Sequence, residues 1–138
     1  MIVPARALSE RKPPYSGAGA LGARGEEAAA RHLESLGFRI LERRFRTRAG
    51  EIDLVAEEHE TLVFVEVKSR SALGFGRPAE AVDARKRGRL TRAAAIYLML
   101  RGLPDRPCRF DVLEVLPTIH GDLRCRLIRD AFHGPCEP

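Results

Sequence analysis

The spacing of hydrophobic residues changes several times along the chain, and each change marks a predicted element. From Leu21 to Leu36, LGARGEEAAARHLESL places Glu26, Ala29, Leu33 and Leu36 in one narrow sector at about 100° per residue, the period of a helix. Gly37 supplies its C-terminal stop. FRILERRFRT, Phe38 to Thr47, alternates apolar and basic residues and reads as a half-exposed strand. Two further strand-like segments follow, Glu51 to Ala56 and Leu62 to Lys68, joined by a polar link from Glu57 to Thr61. Beyond a loop holding Gly74, Gly76 and Pro78, a long helix is predicted from about Ala79 to Arg101, with Pro78 near its start. Its apolar stripe is Val82, Leu90, Ala93, Tyr97 and Leu100. CRFDVLEVL, Cys108 to Leu116, is a β-branched and apolar strand, and a short last strand is expected from about Arg124 to Ile128.

The order is therefore helix, three strands, helix, two strands. Short links between the first three strands suggest an antiparallel meander. The long helix after the third suggests a crossover to a parallel neighbour. The predicted fold is α/β, a mixed sheet flanked by helices. Met1 to Ala20 mixes proline, glycine and charge without periodicity and is read as a mobile basic N-terminal arm. Residues 21–132 form the domain, and 133–138 a Gly/Pro-rich C-terminal tail.

Composition narrows the class. With 138 residues, 44% hydrophobic and 31% charged, the chain is sized for one core. No apolar run approaches the roughly 18 residues of a membrane span, and the N-terminus lacks a secretory apolar segment, so a cytoplasmic protein is expected. The net charge of +5 favours polyanionic partners, although a merely solvated basic surface explains the charge alone equally well. Cys108, Cys125 and Cys136 lack zinc-site spacing and are read as reduced and incidental.

Candidate chemistry concentrates in GEIDLVAEEHETLVFVEVKSR, Gly50 to Arg70. Residues i and i+2 of a strand share a face, so a hairpin here could gather Asp53, Glu66 and Lys68, with Glu51 a weaker member. Two carboxylates and an ammonium suit a hard divalent cation beside a phosphodiester. Mg²⁺ or Mn²⁺ held by Asp53 and Glu66, with the Val67 backbone carbonyl as third ligand, is the expected centre. Lys68 would orient water and stabilise phosphate charge. Glu26 lies on the inward stripe of the first helix and needs a partner there. It is read either as a further metal ligand or as a first-turn glutamate served by the helix dipole. Lys86, on the stripe of the second helix, either reaches solvent or meets the acidic cluster or a phosphate. Arg85, Arg89 and Arg92 share another face of that helix. Arg43, Arg44, Arg46 and Arg48 run into GEID and, with Arg70 and Lys86, are the expected contacts to a nucleic-acid backbone.

GARGEEAAARHLESLGFRILERRFRTRAGEIDLVAEEHETLVFVEVKSR, then FGRPAEAVDARKRGRL and RFDVLEV, resemble the YraN-like proteins over roughly Ala20 to Phe132. These small bacterial proteins are placed in the PD-(D/E)XK, or restriction-endonuclease-like, superfamily. The resemblance implies that fold and a site related to that of archaeal Holliday-junction resolvases. It matches Glu26 to the helix glutamate, Asp53 to the metal-binding aspartate, and Glu66 with Lys68 to the E-x-K pair. Ile52 stands where the superfamily name has proline. The expected activity is metal-dependent cleavage of DNA, with branched or junction DNA a candidate substrate and a homodimer a candidate assembly. The alternative is a nucleic-acid-binding module of the same fold with little or no catalysis. A third reading pairs the acidic strand residues with the chain's own arginines.

Overall fold

The structure is a computed structural model that describes residues 19–70 and 82–133. Most of the N-terminal arm, the loop with Pro78 and the C-terminal tail lie outside the described residues. Within them the elements are α1 (Gly19–Ser35), β1 (Arg39–Arg46), β2 (Glu51–Glu58), β3 (Thr61–Ser69), α2 (Ala84–Leu100), β4 (Cys108–Pro117) and β5 (Leu123–Phe132). The strands form one sheet in the order β1-β2-β3-β4-β5. β1, β2 and β3 make an antiparallel meander, β4 joins β3 in parallel, and β5 returns antiparallel to β4. This is the predicted mixed sheet, with α2 in the β3–β4 connection.

The central strands β3 and β4 are buried along most of their length, which is why their sequences are nearly continuous apolar runs. Phe64, Phe110 and Val112 pack with Leu90, Ala93, Ala94 and Tyr97 of α2. Tyr97 stands edge-on to both Phe45 and Phe64, at centroid separations of 5.0 and 5.6 Å. Leu54, Val63, Val65 and Leu113 form a separate core with Ala29 and Leu33 of α1. One helix thus covers each face.

Several boundaries differ from expectation for local reasons. α2 begins at Ala84 because Asp83 caps it: its backbone is extended and its carboxylate accepts the Lys86 N–H at 2.8 Å. Leu36 follows the end of α1 and is 44% exposed, and Leu100 ends α2 at 65%. Ala94 and Leu98 take the buried sector that the predicted stripe gave to Leu100. β2 continues through Glu58, leaving His59 and Glu60 as the hairpin turn, with His59 at φ 55°. β5 is longer than predicted because its arginines hide the strand pattern. Cys125 is a free thiol, and Cys136 lies outside the described residues.

Two local features position the site. A Cβ on Gly25 would lie 3.3 Å from the Ser69 hydroxyl and 3.9 Å from a Val115 methyl, so α1 presses closely on the ends of β3 and β4. Gly25→Leu is expected to lower stability by about 1–2 kcal/mol in urea unfolding, because overpacking outweighs the gain in helix propensity. The second feature is a break in alternation. Ile52 and Val55 both face α2, whereas Leu54 faces α1, so β2 turns over near Asp53. At the same level of β1, Arg44 adopts a left-handed φ of 52°. Arg43 and Arg44 consequently both reach α1.

Candidate functional site

The β2–β3 ladder runs from Glu58↔Thr61 to Leu54↔Val65. Continuing that register sets Asp53 opposite Glu66, where the two strands cease to pair. There the Val67 N–H donates to Asp53 Oδ2 at 2.8 Å. The carboxyls of Asp53 and Glu66 lie close enough for each to shift the other's proton affinity. Lys86 enters from α2 and places Nζ 2.7 Å from Glu66 Oε1. Of the two readings of Lys86, the one toward the acidic cluster holds. Glu66 is only 7% exposed, so the carboxylate end of this pair is shielded from water, while the Lys86 side chain stays 39% exposed.

Burial pushes the Asp53 carboxyl well above the usual carboxylate range, and the charges of Glu66 and Glu26 push it further. The Val67 N–H and Lys86 oppose that rise. Burial also raises Glu66, against the pull of Lys86 and Lys68. For Lys86, burial alone would lower the ammonium pKa, but the Glu66 charge and hydrogen bond, with Asp53, raise it. Ionising both carboxyls would therefore place more negative charge in the pocket than one lysine neutralises, which is the electrostatic condition a divalent cation relieves.

That excess charge has a measurable cost. A carboxyl whose pKa is higher in the folded chain keeps a proton that the unfolded chain has released. Its contribution to stability is full below the unfolded value, near pH 4, and is lost as pH rises through the raised value. Asp53→Asn keeps an acceptor for Val67 N–H and removes the charge. In EDTA it should melt a few degrees above wild type at pH 7.5, with the gap closing below about pH 4. Thermal unfolding at both pH values checks this; equal melting temperatures at pH 7.5 would remove the argument for charge excess.

Glu26 lies two turns inside α1, too deep for the helix dipole to serve it, and Arg44 supplies the positive charge instead. The Arg44 Nε and Nη2 atoms stand 2.9 and 2.7 Å from Glu26 Oε2. The Glu26 charge is felt at Asp53, but its carboxylate is committed to arginine. Arg43 holds Glu27 at 2.7 Å and Arg46 holds Glu51 at 3.3 Å. Arg70 is folded inward onto Glu114, and Arg48 is exposed. Lys68 is half-buried and makes no ion pair among the described residues, although its charge reaches Glu66. The structure thus brings together Asp53, Glu66 and Lys86, sets Lys68 and Glu26 within electrostatic range, and turns Glu51 and Arg70 to other partners. Among the described residues no group of three or more His, Cys, Asp or Glu side chains is arranged to hold a metal. The candidate centre accordingly rests on the two carboxylates of Asp53 and Glu66, a set that suits Mg²⁺, which keeps several waters.

The sequence reading passed over Glu114, a carboxylate with no exposure beside Lys68 in the parallel ladder. Its signal was present: Phe110, Val112 and Glu114 alternate inside an otherwise apolar strand.

Residues 25–115 match the model of the Uncharacterised protein family UPF0102. A UPF0102 protein of Symbiobacterium thermophilum is 53% identical over 114 residues, covering 83% of this chain and 97% of the relative. One from Moorella thermoacetica is 57% identical over 91 residues, covering 66% and 76%. One from Desulforapulum autotrophicum is 50% identical over 112 residues, covering 81% and 92%. The chain belongs to the UPF0102, or YraN, family of the restriction-endonuclease-like superfamily, as the sheet order and the resemblance of its motifs imply.

Proposed function

We propose that the chain is a Mg²⁺- or Mn²⁺-dependent endonuclease acting on DNA phosphodiester bonds, with branched or junction DNA the first substrate class to test. The observation that carries this reading is the convergence of two buried, charge-excess carboxyls, Asp53 and Glu66, with Lys86 and Lys68 alongside. Asp53 and Glu66 would hold the cation, with the Val67 carbonyl as a third oxygen. A bound cation would supply charge for the scissile phosphate and acidify water near neutral pH. Lys68, which has no ion pair among the described residues, would hold the attacking water in line and balance charge gathering on the phosphate. Lys86 favours the ionised form of Glu66 against the effect of burial. Glu26 would join the centre when Arg44 turns to a phosphate instead.

Incubation with four-way-junction, flap, duplex and single-stranded DNA should give cleavage with Mg²⁺ or Mn²⁺ and none in EDTA. Failure to cut any of the four with either ion overturns the proposal. A second reading, a binding module of the nuclease fold with little catalysis, draws support from the commitment of Glu26 to Arg44. Steeply salt-dependent DNA binding without metal-dependent cleavage favours it. Cutting both strands of a junction would take two copies, since one chain supplies one site. Among the described residues no helix is long and apolar enough to cross a membrane.

A further inference from the structure

All four arginines of β1 hold carboxylates, and so do Arg109, Arg126 and Arg129 across the sheet. Among the described residues, Arg24 and Arg87 bond to backbone carbonyls instead, and four further arginines bond to nothing. The side chains of Arg48, Arg85, Arg89 and Arg92 are exposed and make no ion pair or hydrogen bond among the described residues. Three of them recur at i, i+4 and i+7 on α2, which places them on one face. Arg48 belongs to the β1–β2 turn, which meets α2 at Gly50. A Cβ on Gly50, two residues along the same turn, would lie 3.4 Å from Arg89 Cβ and 3.7 Å from its carbonyl oxygen.

This placement is unfavourable for the isolated chain. Arg85, Lys86 and Arg87 open α2 with no acidic residue in its first turn, so positive charge crowds the positive end of the helix dipole and the Asp83 cap offsets only part of it. Arg85 and Arg89 add like-charge repulsion at i, i+4. A face that served only solubility would gain from an acidic residue here. The cost is recovered when a polyanion occupies the face. The acidic pocket is also adjacent: Lys86 holds Glu66, and the Asp83 cap feels both Arg89 and Lys68.

We propose that the exposed α2 face of Arg85, Arg89 and Arg92, with Arg48 from the β1–β2 turn, is where the phosphate backbone of duplex DNA docks. The reason for duplex DNA rests on the nuclease reading, which needs a scissile phosphate brought to Asp53 and Glu66. From Arg85 to Arg92 the helix advances about 10 Å. Along one strand that length holds about three phosphates at 3.4 Å each. The surface replaces Arg43, Arg44 and Arg46 as the principal backbone contact and retains Arg48.

Fluorescence anisotropy on duplex DNA in EDTA, over about 50–200 mM salt, tests the face without cleavage. The triple variant Arg85→Gln, Arg89→Gln, Arg92→Gln is compared with a charge-matched Arg31→Gln, Arg39→Gln, Arg129→Gln, after both are shown to melt cooperatively. The α2 triple should flatten the slope of log K against log salt by about 2–3 and weaken binding about 10–100-fold near 100 mM salt. The control should change affinity less than about threefold. Equal losses in both variants, or wild-type binding by the α2 triple, overturn the docking face. Binding through this face without metal-dependent cleavage keeps it and defeats the nuclease reading alone. Cleavage and binding both untouched by the α2 triple do the reverse.

Discussion

Asp53→Ala is expected to lower Mg²⁺-dependent DNA cleavage by about 10³-fold or more, and Lys68→Ala by about 10²–10³-fold. Among the described residues Asp53 is one of two carboxylates converging in the pocket, and the other, Glu66, already carries Lys86 on one oxygen. Removing Asp53 leaves a cation with a single shared protein carboxylate, and it strips the Val67 N–H of its acceptor. Lys68 is different in kind. Its ammonium makes no ion pair among the described residues, so its loss should spare folding while removing charge stabilisation at the phosphate. Glu26→Gln should cost less than either, since Arg44 occupies that carboxylate in the resting chain. Single-turnover rates on the best-cut substrate, with melting curves for each variant, provide the check. Cleavage unchanged in both Asp53→Ala and Lys68→Ala would identify a contaminating activity.

Glu114→Ala should destabilise the fold by about 3 kcal/mol. Glu114 has no exposed surface, sits between Lys68 of β3 and Arg126 of β5 in the ladder, and accepts from the guanidiniums of Arg70 and Arg126. Its removal strands the Arg70 charge, whose side chain is only 18% exposed, beside a void. Arg126 is 37% exposed and can turn to water, which keeps the figure at the lower end of the range for broken buried pairs. Burial works against the ionised Glu114, yet Arg70 and Arg126 hold its carboxyl below the ordinary range. Its contribution is therefore present above the unfolded value near pH 4 and is lost as pH falls through the lowered one. Urea unfolding at pH 7 and pH 3 should show the cost of Glu114→Gln shrinking in acid. A loss under about 1 kcal/mol for Glu114→Ala at pH 7 would contradict the account. The same ion pairs recast Arg70, which sequence alone placed against DNA, as a residue that holds the sheet together.

The elements that periodicity revealed are those whose burial is one-sided or total. The two halves of the acidic hairpin and the CRFDVLEVL strand were legible because each must bury a continuous face, and the Asp53–Glu66 encounter follows from two-residue alternation. β5 was shortened because its arginines interrupt the apolar pattern while pairing with carboxylates on neighbouring strands. The cap at Asp83 was missed because Pro78 offered a more conspicuous start. The arginines were the hardest to sort. Sequence shows how many there are and where they cluster, but ion pairs such as Arg44–Glu26 and Arg70–Glu114 depend on tertiary contacts across 18 and 44 positions. Only the folded chain separates guanidiniums already committed to carboxylates from those left to meet a phosphate.

Anomalous diffraction from a crystal soaked in Mn²⁺ measures the central claim most directly. The account predicts a peak bridging the Asp53 and Glu66 carboxylates, within reach of the Val67 carbonyl. Manganese bound only elsewhere, with those two carboxylates turned apart, would contradict it.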